Sequence, residues 1–354
     1  MRITDQNYIS VIRWKGAEKR AVLALDRSVK QTVVPLIEFV PKDFWENSEH
    51  AAVEAIGKEI AENWGWKNPT IIDPHLLGDD VAARNIEVVL NSLKRYSVPS
   101  AVSTDPFRSE DYQKALERSL NKLNDLDVCF RIRTIHLRVA GLDSALRDLL
   151  ERFSVTAKDV HMILDFGLIS DQGMNFARTW NSLPMLNEWK SLTTLAGSFP
   201  KDLSHLAANQ EHFLPRGEWD SWLSLNELTP LRTAFGDYTI QHPFFEEREG
   251  KGFNFSPSIR YTAPDGYIIM RGEGIMNDDG VGCEQWLGEA ALLTEKAEFC
   301  GASLSWGDTF IHDKSQEPLN PGSIKDWLAA TINHHQALVA KQVQEAKVVV
   351  AARR

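Results

Sequence analysis

The chain has 354 residues, 43% of them hydrophobic and 25% charged, the proportions of a folded globular protein rather than a disordered one. No apolar run approaches the ~20 residues of a membrane-spanning helix. A net charge of −10 excludes a protein that coats duplex DNA non-specifically, since that binding is driven by cation–phosphate contacts, although a local basic groove stays open.

The opening segment, residues 1–10, lacks the apolar core of a secretory signal. Cys129, Cys283 and Cys300 form no CxxC pair and are read as reduced thiols, which gives a cytoplasmic location as the expectation. Short runs rich in Val, Ile, Thr and aromatics then recur: Tyr8–Trp14, Val33–Phe39, Thr70–Asp73, Ala101–Asp105, Val128–Arg133, Val160–Phe166, Ser191–Gly197 and Tyr238–His242. Several are apolar throughout, as in strands buried on both faces of a parallel sheet. Between them, Ala51–Ile60, Val81–Leu93 and Tyr112–Leu126 carry apolar residues at helical spacing, with weaker candidates at Asp143–Leu150 and Asn175–Asn187. Eight alternations of this kind predict an α/β fold, a (β/α)8 TIM-like barrel over residues 1–245. Pro41, Pro74, Pro106, Pro200 and Pro243 follow five of the strands, where a residue without an N–H suits an exit from the sheet.

Residues 246–354 read differently, as a C-terminal extension packed on the barrel. Ser258–Arg271 is two strand-like runs around Pro-Asp-Gly, a β-hairpin signal. A helix is predicted over Glu284–Glu298, after Gly280 and Gly282. Ala302–His312 reads as a strand with a Gly-Asp break, and a final helix begins near Ser323.

On a barrel, residues at strand C-termini converge on one mouth. Glu38, Asp73, Asp105, Arg131, Arg133, Asp165, Ser198, Lys201 and His242 fall there. Glu38, Asp73 and Asp165 are oxygen donors suited to Mg²⁺ or Mn²⁺. Arg131, Arg133 and Lys201 are suited to a phosphate or carboxylate, such as that of a small phosphorylated ligand. His242 is the candidate acid or base, with Asp165 beside it as a second catalytic candidate. Two plainer readings stand beside this one. Asp73 and Asp105 precede prolines and are natural turn residues, and carboxylates facing arginines in a mouth form an internal salt-bridge ring with no ligand. Arg131 and Arg133 share one face of a strand of period two.

Elsewhere the signals favour structure. His334 and His335 are read as a solvated helix surface, and His75 and His161 as structural. Trp45, Trp64, Trp66, Trp219, Trp222 and Trp286 are assigned to packing, with Trp306 beside Asp308 an alternative pocket residue. Arg271–Asp279 has two glycines but not the third of a dinucleotide loop; it remains a candidate flap carrying Arg271, Glu273 and Asp278. There is no GxxxxGK[ST], HExxH or GxSxG, and no Cys/His metal spacing.

Six stretches, taken in order, resemble the Beta protein family of satellite phages and prophages: Ile12–Gly16, Val34–Phe39, Ile163–Gly167, Leu195–Leu203, Arg271–Gly274 and Ser305–Ile311. The resemblance implies a component of a phage-encoded gop–beta–cII defence module, in which the partner is a gop-type killer protein restrained in toxin–antitoxin fashion, within a bacterial cytoplasm. It carries no established catalytic residues. Lys15, Glu38, Asp165, Lys201, Arg271 and Asp308 lie inside the familiar stretches, which makes them the preferred candidates for a shared site. The alternative is a metal-dependent phosphodiesterase or other hydrolase working at the mouth.

Overall fold

A computed structural model describes residues 1–41, 50–169, 176–246, 254–276, 282–316 and 319–352. Trp45, Asp278 and Gly280 lie outside the described residues. Eight parallel strands close into a barrel: β1 (Tyr8–Arg13), β2 (Val33–Glu38), β3 (Thr70–Asp73), β4 (Ser100–Thr104), β5 (Asp127–Arg133), β6 (Val160–Leu168), β7 (Ser191–Gly197) and β9 (Ala234–Asp237), which returns to pair with β1. Alternation along each strand sorts the side chains into two layers. Ile9, Val11, Val34, Leu36, Ile71, Cys129, Ile163 and Leu195 fill the barrel interior. Their neighbours Ile12, Val33, Ile37, Ile72, Phe130, Met162 and Leu164 face outward into the layer shared with the helices.

The helices follow from the sequence in the same way. Asp79–Arg95 buries Val81, Ile86, Val89, Leu90 and Leu93 on one stripe, with Asp79 and Asp80 in its first turn and Lys94 and Arg95 in its last, the polarity that the helix dipole favours. Glu110–Lys122 starts behind Ser109, whose hydroxyl accepts from the Tyr112 N–H at 3.3 Å. The candidate helix over Asn175–Asn187 shrinks to Phe176–Trp180.

A second, antiparallel sheet orders its strands β10 (Ser258–Thr262), β11 (Gly266–Arg271) and β8 (Gln210–Pro215). The Pro-Asp-Gly hairpin is β10–β11. Strand β8 lies upstream of residue 245, so the sheet beyond the barrel takes one strand from within the barrel's span. One face of this sheet packs Ile259, Tyr261, Ile268 and Met270 on Trp286, Leu293, Ile311 and Trp327. The other turns Tyr267 and Ile269 toward Phe199, Leu203 and Ile240 of the barrel loops. The helix Ile324–Ala352 closes the seam and sends Val339 and Val343 into the barrel's outer core.

Four expectations are corrected. The last barrel strand is Ala234–Asp237, four residues before Tyr238–His242. Gly236 sits in this strand where the barrel is crowded: a Cβ there would lie 3.2 Å from both the Ile9 carbonyl oxygen and Leu195 Cδ1. Ala302–His312 holds the start of a helix, Trp306–Gln316, not a strand. Ser305 Oγ accepts from the Asp308 N–H at 3.1 Å and bonds the Asp308 carboxylate at 2.6 Å, a helix start that outweighs the aromatic content. Trp66 is 69% exposed and packs no helix onto a strand. His334 and His335 are fully buried rather than solvated. Being adjacent, they point to different neighbours. His335 places Nε2 2.9 Å from Asp237 Oδ2 of the barrel, and His334 places Nδ1 2.9 Å from Asp308 Oδ2 of the extension. Burial on both sides of the helix leaves polar side chains only where each finds a partner.

Candidate functional site: a charged ring at the barrel mouth

The interior positions of four strands turn from apolar to charged toward the strand exits. Val34 and Leu36 lead to Glu38, Ile71 to Asp73, Cys129 to Arg131 and Ile163 to Asp165. Register holds them level, with Arg13 beside Glu38 and Glu38 beside Asp73 on adjacent strands. Glu38, Asp73, Asp165 and Arg131 are each at most 5% exposed.

Arg131 stands at the centre. Its Nη1 donates to Glu38 Oε1 at 2.8 Å and Asp73 Oδ2 at 2.7 Å, and its Nε to Asp165 Oδ2 at 3.0 Å. Its Nη2 donates to the Tyr238 hydroxyl at 2.9 Å. The Tyr238 hydroxyl donates in turn to Asp165 at 2.7 Å. Arg13 lies on the rim; its Nη1 bonds Gln241 Oε1 at 2.9 Å and its Nη2 the His242 carbonyl at 2.7 Å. Phe245 lies over Arg13 and Lys15, 5.1 and 4.7 Å from its ring centre. Three atoms of the mouth remain buried without a hydrogen bond: Glu38 Oε2, Arg13 Nε and His75 Nδ1. Arg13 Nε is 3.8 Å from Glu38 Oε2, too far for a direct bond.

The electrostatics follow from this packing. Burial alone would raise the Asp73 carboxyl, but His75 and Arg131 beside it hold it well below the carboxylate range. Burial works against the Arg131 charge, and the surrounding Tyr238, Asp165, Asp73 and Glu38 more than offset it. Burial and the Asp165 charge push the Tyr238 hydroxyl far up, so it stays a donor.

The turn reading and the site reading of the strand-end aspartates turn out to be compatible. At four strand exits one Asp oxygen caps the backbone two residues on: Asp73 to His75 (3.0 Å), Asp105 to Phe107 (2.7 Å), Asp165 to Gly167 (2.9 Å) and Asp237 to Thr239 (2.9 Å). The second oxygen is then free to face inward. At Asp73 and Asp165 it takes Arg131, and at Asp237 it takes His335.

Of the candidate residues, the fold therefore gathers Glu38, Asp73, Arg131 and Asp165. Arg133 lies on the same side of β5 but one step beyond, exposed above the ring. Lys15 is half-buried under Phe245. His242 is on the rim, its Nδ1 accepting from the Phe244 N–H at 3.2 Å. Lys201 is instead on the surface, paired with Glu246 at 2.6 Å. Ser198 bonds Glu218 in the seam. Arg271 ends β11 of the second sheet, and Asp308 is buried against Tyr261 and His334; neither belongs to the mouth. The divalent-ion expectation does not fit this geometry, because the guanidinium of Arg131 occupies the point on which the three carboxylates converge. Among the described residues no group of three His, Cys, Asp or Glu has a metal-holding arrangement. Sequence reasoning missed Arg13, His75 and Tyr238. Arg13 was within reach, since it continues the inward alternation Ile9, Val11.

A closed eight-stranded parallel barrel with a charged ring at its strand exits, joined to a three-stranded antiparallel sheet, makes this an α/β protein of the TIM-barrel class. More narrowly, residues 8–341 match the Beta protein family, and the chain belongs to it. Among solved structures it is similar to a glycoside hydrolase family 30 subfamily 8 xylanase, Xyn30A, from Clostridium acetobutylicum, at 11% identity and a TM-score of 0.38, over 67% of this chain. The chain spans 65% of that protein's length. No curated protein matches it. Among the described residues no helix is long and apolar enough to cross a membrane.

Proposed function

We propose that this chain is a binding component of a phage-encoded anti-phage defence module of toxin–antitoxin type, acting in a bacterial cytoplasm, where it restrains a gop-type killer protein. Membership of the Beta protein family supports the module context. The choice of binding over catalysis rests on one observation: Arg131 engages all three buried carboxylates of the mouth. Barrel enzymes keep their acids, bases and metals facing substrate at the strand exits. Here each of those carboxylates is already engaged by the protein's own arginine, which speaks against the metal-dependent hydrolase. A small ligand regulating the complex from this face would sit above the ring, on Lys15 and the exposed Arg133, rather than inside it.

Co-expression with the neighbouring killer gene tests the reading. The expected result is co-purification of the two chains and restored growth of the host. Absence of a complex, together with unchanged toxicity, overturns it.

A further inference from the structure

The loops at the strand exits carry apolar surface that the barrel does not use. Phe107 follows β4, Ile135 and Val139 follow β5, Leu168 ends β6 and Phe244 follows β9. All five are exposed, Ile135 by 67% and Phe244 by 62%. They run together around one side of the mouth. The Phe107 ring lies 4.6 Å from that of His136, the neighbour of Ile135. Strands β5 and β6 pair as far as Arg133 and Asp165, which brings their exit loops side by side. A Cβ on Gly167 would lie 3.6 Å from Phe244 Cζ, so Phe244 covers the end of β6 beside Leu168. Single apolar residues are ordinary on a surface, whereas a run of them across adjacent loops marks a place of contact.

The free charges of this face have one sign. Arg133 and Arg138 are exposed in the strip, and neither side chain has a hydrogen bond or an ion pair among the described residues. Lys15, further round the rim, lies 4.7 Å from the Phe245 ring centre and forms no ion pair among the described residues. The nearby carboxylates are engaged: Asp79 by Arg108, Glu246 by Lys201, and one oxygen of Asp105 by the Phe107 N–H. In a chain of net charge −10, unpaired cations beside an apolar strip steer an anionic partner to this face and away from the rest. Arg131 closes the floor below, so what meets the strip stays on the face instead of entering the barrel. A nucleic acid would use the cations, but Ile135, Val139 and Leu168 offer its bases no ring to stack on. A polypeptide with acidic and apolar side chains uses both.

We infer that the strand-exit face is the docking surface for a segment of a partner protein that carries carboxylates among apolar side chains. The carboxylates meet Arg133 and Arg138, and the apolar side chains meet Ile135, Leu168 and Phe244. The apolar contacts supply most of the affinity, and the charges set orientation and rate of encounter. Such a surface rests on the reading of the chain as a binding component and gives that reading a place on the fold.

Two measurements on the full chain test it. Fluorescence anisotropy with a labelled peptide of Glu and Leu residues probes the face without the killer protein, and co-purification with the killer chain asks whether that partner docks there. The peptide should bind saturably with Kd below ~1 mM, more weakly as salt is raised. Arg133→Glu and Ile135→Asp should each lower peptide affinity and killer recovery about tenfold at an unchanged melting temperature. Leu228→Asp, at an exposed leucine on the strand-entry side, should change neither. If Ile135→Asp does not fold, Arg133→Glu, at an exposed side chain without a partner, carries the test. No saturable peptide binding, full peptide affinity in the folded variants, or killer recovery undiminished in both would each overturn the inference. Self-association of the parent chain that Ile135→Asp abolishes would also overturn it, by making a second copy the occupant. Peptide binding at this face with no recovery of the killer by the parent chain removes the killer as partner and leaves the surface standing.

Discussion

The barrel mouth and the seam beside the second sheet both gather arginines, but the mouth buries its Arg131 while the seam leaves Arg271 half-exposed. In the mouth Arg131 meets three carboxylates and a tyrosine hydroxyl. In the seam Arg271 has one weak backbone contact. A buried cation enclosed by its counter-ions is a structural plug; a half-exposed one can be solvated by water. Convergence of charged residues at strand exits therefore does not by itself mark an active site. What matters is whether the fold has already satisfied them.

The largest expected effect comes from breaking the plug. Arg131→Met leaves three buried carboxylates uncompensated and should cost about 3–5 kcal/mol in urea unfolding, as for a buried ion pair that loses one partner. A loss below ~1 kcal/mol would mean that the mouth is wetter and looser than the geometry indicates.

The extension side offers the converse. Glu289 has both carboxylate oxygens buried without a partner, and burial pushes its pKa up to about 9. Its folded pKa lies above the unfolded one, so the stabilisation from holding that proton is complete below about pH 4.5 and is lost as pH rises toward 9. Glu289→Gln, which cannot ionise, should thus gain on the parent chain between pH 5 and pH 8, by ~2 kcal/mol in chemical denaturation at the upper end. A difference that stays constant with pH would show that Glu289 is ionised and paired.

The smallest effect is expected at Lys201, whose pair with Glu246 is exposed on both sides. Lys201→Ala should change stability by less than ~0.5 kcal/mol. A larger change would place Lys201 in a function that its position gives no reason to expect.

Much of this architecture is readable from the chain. Alternation of apolar residues places seven barrel strands, and the same alternation carried one step further places Glu38, Asp73, Arg131 and Asp165 in one ring. What sequence does not disclose is which sheet a strand joins. Arg271 ends a strand as Asp165 does, but β11 pairs with β8 and β10 rather than with the barrel, so the two residues belong to different sites. The burial of Asp308, His334 and His335 has a related origin: it comes from partners more than twenty residues away, which local periodicity does not record. The run Tyr238–His242 carries the β-rich residues, whereas the last barrel strand, Ala234–Asp237, is four residues long and includes Gly236.

The central claim is that Arg131 holds the place of a metal ion in the mouth. Mn²⁺ titration of the native chain, followed by the electron paramagnetic resonance signal of the free ion, tests it directly. The account predicts a free-ion signal undiminished by protein at ~100 μM, since the three carboxylates are already engaged. A stoichiometric loss of that signal, restored in Asp165→Ala, would contradict it and return the mouth to metal chemistry.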